Sequence, residues 1–283
     1  MINRIMKWSG ESAYVKDLTK LDESVLSSDI KQLLNIRYAD DDIPDHILDV
    51  YYRDDGSLKP VLIDVHGGGF ISYHKEFDRV FANVMAQKGF VVFELEFRLA
   101  YPEYTVFDQI SDIDKAARWV QENAHKYGGD AGRMYIAGHS SGCVLATAEA
   151  LLSIDQEMLS AYGFAERTYH YKGMFLDCGL LHFYKNSIAY NGMRRMVFPK
   201  RYKEDKRFKY LVFKDNDRIE DLPRTALITN RKDVLKAMTY FHENVLSSRN
   251  VEHRLFDKGD LGHTGIVFKP YDEFIDEPVK YLL

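Results

Sequence analysis

Cysteine is scarce in this chain: Cys143 and Cys178 are the only two among 283 residues. Two thiols cannot build a disulfide scaffold, and without a C-x-x-C pair they offer neither metal nor redox spacing. Both are expected to be buried core thiols. No apolar run reaches about eighteen residues, so no membrane-spanning helix and no stable membrane association are expected. The opening Met1-Ile2-Asn3-Arg4-Ile5-Met6-Lys7-Trp8 also lacks the apolar block of a secretory signal, which points to a cytoplasmic protein. A basic excess is missing too. With 38 Lys and Arg against 43 Asp and Glu, the formal net charge is -5, and a dedicated nucleic-acid binder would carry the opposite balance. The ten histidines contain no H-E-x-x-H and no other ligand spacing, so neither a metal nor another cofactor is expected.

What remains is a chain that is 46% hydrophobic and long enough for a sizeable core. Its pattern alternates between strand and helix. Ile47 to Tyr52 and Val61 to Val65 read as strands joined through the turn Asp54-Asp55-Gly56, a pair that resembles a hairpin feeding a sheet. A helical pattern from Asp78 to Lys88 leads into the strand Phe90 to Leu95, and a second, about Val106 to Tyr127, leads into the strand Met134 to Ala137. This rhythm predicts a mostly parallel sheet flanked by helices. Further strands are expected at Gly173 to Leu176, Thr225 to Thr229 and Glu252 to Phe256, with helices at about Val234 to Ser247 and Pro270 to Leu283. The amino-terminal arm predicts a helix from Leu21 to Leu34 and no obvious place in the sheet.

The chemistry is concentrated where strands end. Gly138-His139-Ser140-Ser141-Gly142 follows a strand and opens a small-residue helix, the G-x-S-x-G pattern of a nucleophile held on a sharp bend. Glycines two before and two after the serine leave room for that bend, and the helix N-terminus beneath presents free N–H groups to a developing oxyanion. Upstream, the strand ending at Val65 runs into His66-Gly67-Gly68-Gly69-Phe70. Three successive glycines are entropically unfavourable unless the backbone must adopt unusual dihedrals or approach another group closely. Gly67 and Gly68, with Ser141, are the expected oxyanion donors, and His66 is the expected organiser of the glycine turn.

A serine nucleophile needs a base, and the base needs a carboxylate to fix its tautomer. Asp233 and His263 each follow a predicted strand, and with Ser140 they occur in the order Ser, Asp, His. Asp177 also follows a strand and stands as a second candidate acid. Between His182 and Asp221 the regular pattern stops, and aromatic residues such as Phe183, Tyr202 and Phe208 alternate with basic ones. Such a stretch suits a lid over a pocket.

Taken together, His66-Gly67-Gly68-Gly69-Phe70, Phe97-Arg98-Leu99-Ala100, Gly129-Asp130, Gly138-His139-Ser140-Ser141-Gly142, Asp233-Val234-Leu235 and Gly262-His263 resemble the hormone-sensitive-lipase-like branch of the α/β-hydrolase carboxylesterases over roughly residues 45 to 275. The resemblance implies a single α/β-hydrolase domain over 1–283, with cap elements at about 1–35 and 182–221. It implies hydrolysis of small, short-chain acyl esters through an acyl-enzyme on Ser140, with Ser140, Asp233 and His263 as triad. Gly67, Gly68 and Ser141 would be the oxyanion hole, and Phe70, His139 and Phe183 the substrate contacts. An arylformamidase-like amide hydrolase on the same triad, and a non-catalytic ligand-binding relative, remain alternatives. The expected partner is a small-molecule ester, and a homodimer is a candidate assembly.

Overall fold

In the computed structural model, residues 2–183 and 188–283 are described. Residues 184–187 of the expected cap lie outside them. Eight strands form one sheet: β1 (Lys31–Arg37), β2 (Ile47–Tyr52), β3 (Lys59–Val65), β4 (Val91–Leu95), β5 (Gly129–His139), β6 (Tyr171–Asp177), β7 (Arg224–Thr229) and β8 (His253–Asp257). Their spatial order is β1-β2-β4-β3-β5-β6-β7-β8. β1 and β2 run antiparallel to their neighbours, and β4, β3, β5, β6, β7 and β8 pair in parallel.

The described helices are α1 (Ile2–Leu18), α2 (Arg79–Gln87), α3 (Val106–Asn123), α4 (Gly142–Leu152), α5 (Gln156–Tyr162), α6 (Ile188–Val197), α7 (Lys236–Ser248), α8 (Gly265–Phe268) and α9 (Asp272–Leu282). Strand periodicity sorts them onto two faces. In β3, Val61, Ile63 and Val65 join a core with residues of α3 and α4, whereas Leu62 joins the core built with α2 and α9. Val92, Ala137 and Phe175 point to the same α2 side as Leu62. With both faces covered, all seven residues of β3 are buried.

Two expectations about the amino-terminal half need correction. Residues 21–34 form no helix. The Asp22 carboxylate accepts the Ser24 N–H (3.1 Å) and hydroxyl (2.6 Å), which closes a single 3₁₀ turn at Glu23–Val25. The chain then enters β1, paired antiparallel with β2. The helix of this arm lies upstream, at α1. Nor do β2 and β3 form a hairpin. β4 inserts between them, since β3 returns through α2 to a parallel β4, whose other edge pairs with β2 through Leu48 and Leu95.

Glu149 lies wholly buried in α4, where the hydroxyls of Tyr169 and Tyr171 donate to its Oε1 at 2.7 and 3.1 Å. Burial, reinforced by the nearby Asp114 carboxylate, pushes the Glu149 carboxyl up to about 8. A raised carboxyl binds its proton more tightly in the native than in the unfolded chain, so its contribution is full below the unfolded value and is lost as pH rises through about 8. Glu149→Gln is therefore expected to be more stable than the parent at pH 8.5, by about 5 °C, and to flatten the decline of Tm above pH 5. Thermal melts of both proteins across pH 5 to 8.5 check this, and parallel curves would refute it.

Candidate active site

The bend between β5 and α4 is built by steric exclusion. Ser140 sits at φ +52°, in the left-handed region that L-residues adopt at strain. A Cβ on Gly138 would lie 2.6 Å from the Gly142 carbonyl oxygen, and one on Gly142 would lie 2.1 Å from that of Val65. Neither glycine has a positive φ; both are required by close approach. Gly142→Ala is thus expected to destabilise the fold by about 3 kcal/mol or more, or to prevent soluble expression, a result urea denaturation would measure. The Ser140 N–H donates to the Asp177 carbonyl (2.9 Å) and the Leu180 N–H donates to the Ser140 carbonyl (2.9 Å), so the strained residue is held from both sides.

His263 arrives from the loop after β8. Its Nε2 lies 2.8 Å from Ser140 Oγ, and its Nδ1 lies 2.8 Å from Asp233 Oδ1. A carboxylate can only accept, so Nδ1 carries the proton and Nε2 is free to accept from the serine hydroxyl. Asp233, just past β7, is buried, which alone would raise its pKa. The His263 ring, the Leu235 N–H (2.9 Å) and the Thr229 hydroxyl (2.8 Å) all donate to it and hold it below the usual carboxylate range. Asn230 binds the loop that carries the imidazole: its Nδ2 donates to the Gly262 carbonyl at 2.7 Å, and its Oδ1 accepts the Gly262 N–H at 3.0 Å. Sequence reasoning missed this residue, whose only signal was its place directly after a strand.

The glycine loop abuts the same bend. Gly68 (φ +108°), Gly69 (φ +62°) and Phe70 (φ +71°) all take left-handed conformations. A Cβ on Gly68 would fall 1.8 Å from the Ser72 carbonyl oxygen. The Phe70 N–H donates to Ser141 Oγ at 3.2 Å, which ties loop to bend. His66 fills the organising part expected of it: Nδ1 donates to the Gly67 carbonyl at 2.8 Å, and the ring stacks on Phe97 at 4.2 Å. Gly67, Gly68, Gly69, Ser140 and His263 share a cavity of about 400 Å³, walled by Asp17, Lys20, Tyr73, Phe77, Thr264 and Phe268. The Tyr73 hydroxyl donates to Asp17 at 2.6 Å, tying the end of α1 to the wall.

Of the expected substrate contacts, Phe70 and Phe183 are buried with their rings 5.7 Å apart and neither lines the cavity at Ser140; Phe183 lines another cavity of about 230 Å³ with Tyr202, Phe208 and Leu211. His139 is corrected: it is wholly buried on the α2 side of the sheet, with Nδ1 3.2 Å from Asp177 and Nε2 3.3 Å from Asp64. The cause is strand periodicity, which sends residue 139 to the same side as Ala137. The Asp177 carboxylate bonds to this ring and not to His263. His182 and His242 pair with each other at 3.2 Å in the core. Among the described residues, two groups bring metal-type ligand atoms within 4.8 Å of one another, Cys178-Asp233-His263 and Asp64-Asp78-His139. In the first, Asp233 and both ring nitrogens of His263 are already engaged, and burial raises the Cys178 thiol far above its ordinary value.

The chain is similar to known proteins in sequence and in fold. The BD-FAE family model matches residues 48–176. The isoprenylcysteine alpha-carbonyl methylesterase ICME of Arabidopsis thaliana is 31% identical over 119 residues, 41% of this chain and 27% of the relative. The esterase LipC of Mycobacterium tuberculosis is 32% identical over 126 residues, 43% of this chain and 30% of that protein. The chain thus spans under a third of the length of these relatives. Among solved structures, esterase B from Lactobacillus rhamnosis superposes with a TM-score of 0.85 at 20% identity, covering 100% of this chain and 95% of that one. The hyperthermophilic esterase of Pyrobaculum calidifontis gives 0.73 at 20% identity, covering 99% and 91%. The fold is that of the α/β-hydrolases, and from the sheet through the nucleophile bend the chain resembles their hormone-sensitive-lipase-like carboxylesterase branch.

Proposed function

We propose that this protein is a serine carboxylesterase that cleaves small, short-chain acyl esters. The supporting observation is the continuous line from Ser140 Oγ through His263 to Asp233, with 2.8 Å at each step, facing a cavity floored by the glycine loop. In this reading Ser140 Oγ attacks the ester carbonyl while His263 Nε2 takes its proton. The oxyanion is received by the N–H groups of Gly67, Gly68 and Ser141. His263 then returns the proton to the departing alkoxide, leaving an acyl group on Ser140. Water, activated by the same imidazole, attacks that acyl group and releases the acid. Asp233, held ionised, steadies the imidazolium formed in each half-reaction.

The names of the relatives, esterases throughout, favour ester over amide or formamide cleavage. α1 and the segment 188–221 are assigned the capping role, while residues 31–35, expected in the cap, belong to the sheet. The wall of Tyr73, Phe77 and Phe268 around about 400 Å³ suits a short acyl chain. Among the described residues, no helix is long and apolar enough to cross a membrane. Free, buried Cys143 and Cys178 fit a reducing, cytoplasmic compartment. A homodimer belongs to the same reading, and sedimentation would size it.

Initial rates on p-nitrophenyl acetate, butyrate, octanoate and palmitate test the proposal. The two shortest are expected to lead in kcat/KM. Equal or faster turnover of the palmitate would overturn the chain-length assignment, and no turnover of any ester would overturn the esterase.

A further inference from the structure

On the α2 side of the sheet, directly beneath the nucleophile bend, four carboxylates and one imidazole are sealed from water. Asp64 (β3), Glu94 (β4) and Asp177 (β6) stand two residues beyond Leu62, Val92 and Phe175 on the same face, and Asp78 comes from the start of α2. Against three of them, Asp64, Asp78 and Asp177, lies His139, the residue before Ser140, with the Phe81 ring edge-on at 4.6 Å. None of this is used in the chemistry proposed above.

The ring's surroundings set its protonation. Nδ1 lies 3.2 Å from Asp177 Oδ2 in a hydrogen bond, and Nε2 lies 3.3 Å from Asp64 Oδ1 in an ion-pair contact too oblique for an aligned hydrogen bond. A neutral imidazole has a single N–H, so one of its nitrogens would turn a lone pair toward a carboxylate in a water-free place. Both oxygens of Asp64, and both of Asp78, have no hydrogen-bond partner among the described residues. Buried carboxylates so placed require a compensating positive charge or a proton. An imidazolium supplies the charge, and it lies where the two flanking strands meet β5.

We propose that His139 is a positioning residue: a doubly protonated ring that binds Asp177 and Asp64 and so fastens the C-terminal ends of β3, β5 and β6 together beneath Ser140. Those ends carry the parts that must stay in register. β3 continues into the glycine loop, β5 into Ser140, and the backbone carbonyl of Asp177 on β6 accepts the Ser140 N–H. Burial alone would lower the ring's pKa; the Asp78 and Asp64 charges, the bond to Asp177 and the close contact with Asp64 outweigh it and raise it well above the ordinary value. Burial pushes the Asp78 carboxyl up to about 7, with the charge on His139 opposing the rise. The effect on rate rests on the esterase reading; the protonation state does not.

Nitrogen-15 histidine spectra of the intact protein at pH 8 test the charge directly, with His139 identified by the signals that vanish in His139→Asn, or by long-range couplings in the parent where that variant does not fold. Two ring N–H groups are expected. A ring with one protonated nitrogen would overturn the proposal, as would a stoichiometric divalent metal, found by elemental analysis, on Nε2. The kinetic arm uses the rate of Ser140 labelling by a fluorophosphonate beside ester turnover. His139→Gln is expected to lower kcat and the labelling rate by about 10²-fold, the scale of a misplaced reacting group, with KM changed less than about threefold. Adding Asp64→Asn, which removes the carboxylate left without a counter-charge, is expected to restore about fivefold or more. Labelling at the parental rate in His139→Gln, or a double variant worse than the single one, would refute the positioning role. Two ring N–H groups in a protein that cleaves no ester would instead refute the esterase reading and leave the charge assignment standing.

Discussion

Ser140→Ala is expected to reduce kcat for p-nitrophenyl butyrate by about 10⁵-fold while the far-ultraviolet spectrum and melting temperature stay near those of the parent. The size follows from what the hydroxyl does: without it no acyl-enzyme forms, and what remains is the slow hydrolysis that an oxyanion hole alone supports. Stability should survive because the bend is held by backbone bonds, from the Ser140 N–H to Asp177 and from the Leu180 N–H to the Ser140 carbonyl, which alanine keeps. The partner that loses its bond, His263 Nε2, lies on the cavity and not in the core, so water can take the place of the hydroxyl. Turnover retained within about tenfold would mean that another residue is the nucleophile and the esterase assignment is wrong.

Asp233→Asn is expected to lower kcat by about 10⁴-fold with small changes in KM. The amide fits the space of the carboxylate but can donate toward His263 Nδ1, which favours the tautomer with the proton on Nε2 and turns an N–H toward Ser140 Oγ. The Thr229 hydroxyl and Leu235 N–H, which now donate to the carboxylate at 2.8 and 2.9 Å, would also compete for one remaining oxygen. The pH profile supplies a second reading. Since the bonds to Asp233 hold it below the ordinary range, protonation of this carboxylate should not limit activity until the pH falls below the usual carboxylate range. The corresponding change at Asp177 should leave the tautomer of His263 untouched and act through stability and the seating of the bend, because its side chain faces His139 across the sheet from the cavity.

Much of this was legible in the sequence because the elements that matter are buried on both faces. β3 to β7 read as apolar runs, and the helices between them show the expected period, so the sheet and the strand ends bearing Ser140, Asp233 and His263 could be placed from residues alone. β1 could not. Its residues are exposed or half-exposed along its length, so the alternation that marks a half-buried strand is missing, and Asp22 with Glu23 imitated a helix start. His139 was misassigned because its sequence neighbour is the nucleophile. The bend turns Ser140 toward the cavity, but the two-residue period of β5 still governs residue 139. Asn230 escaped notice because its work, two bonds to Gly262, spans thirty-two positions that only the folded chain brings together.

The docking of Asp17 and Lys20 against the glycine loop has a practical bearing on how the protein is handled. Since that wall of the cavity comes from the carboxyl-terminal end of α1 and the residues just after it, trimming the amino-terminal arm would take away one side of the site. Substrate preferences measured on a trimmed chain would partly reflect the missing wall, whereas a carboxyl-terminal tag would join beyond α9, where Leu282 lies against Gly173 at the far end of β6 from the bend.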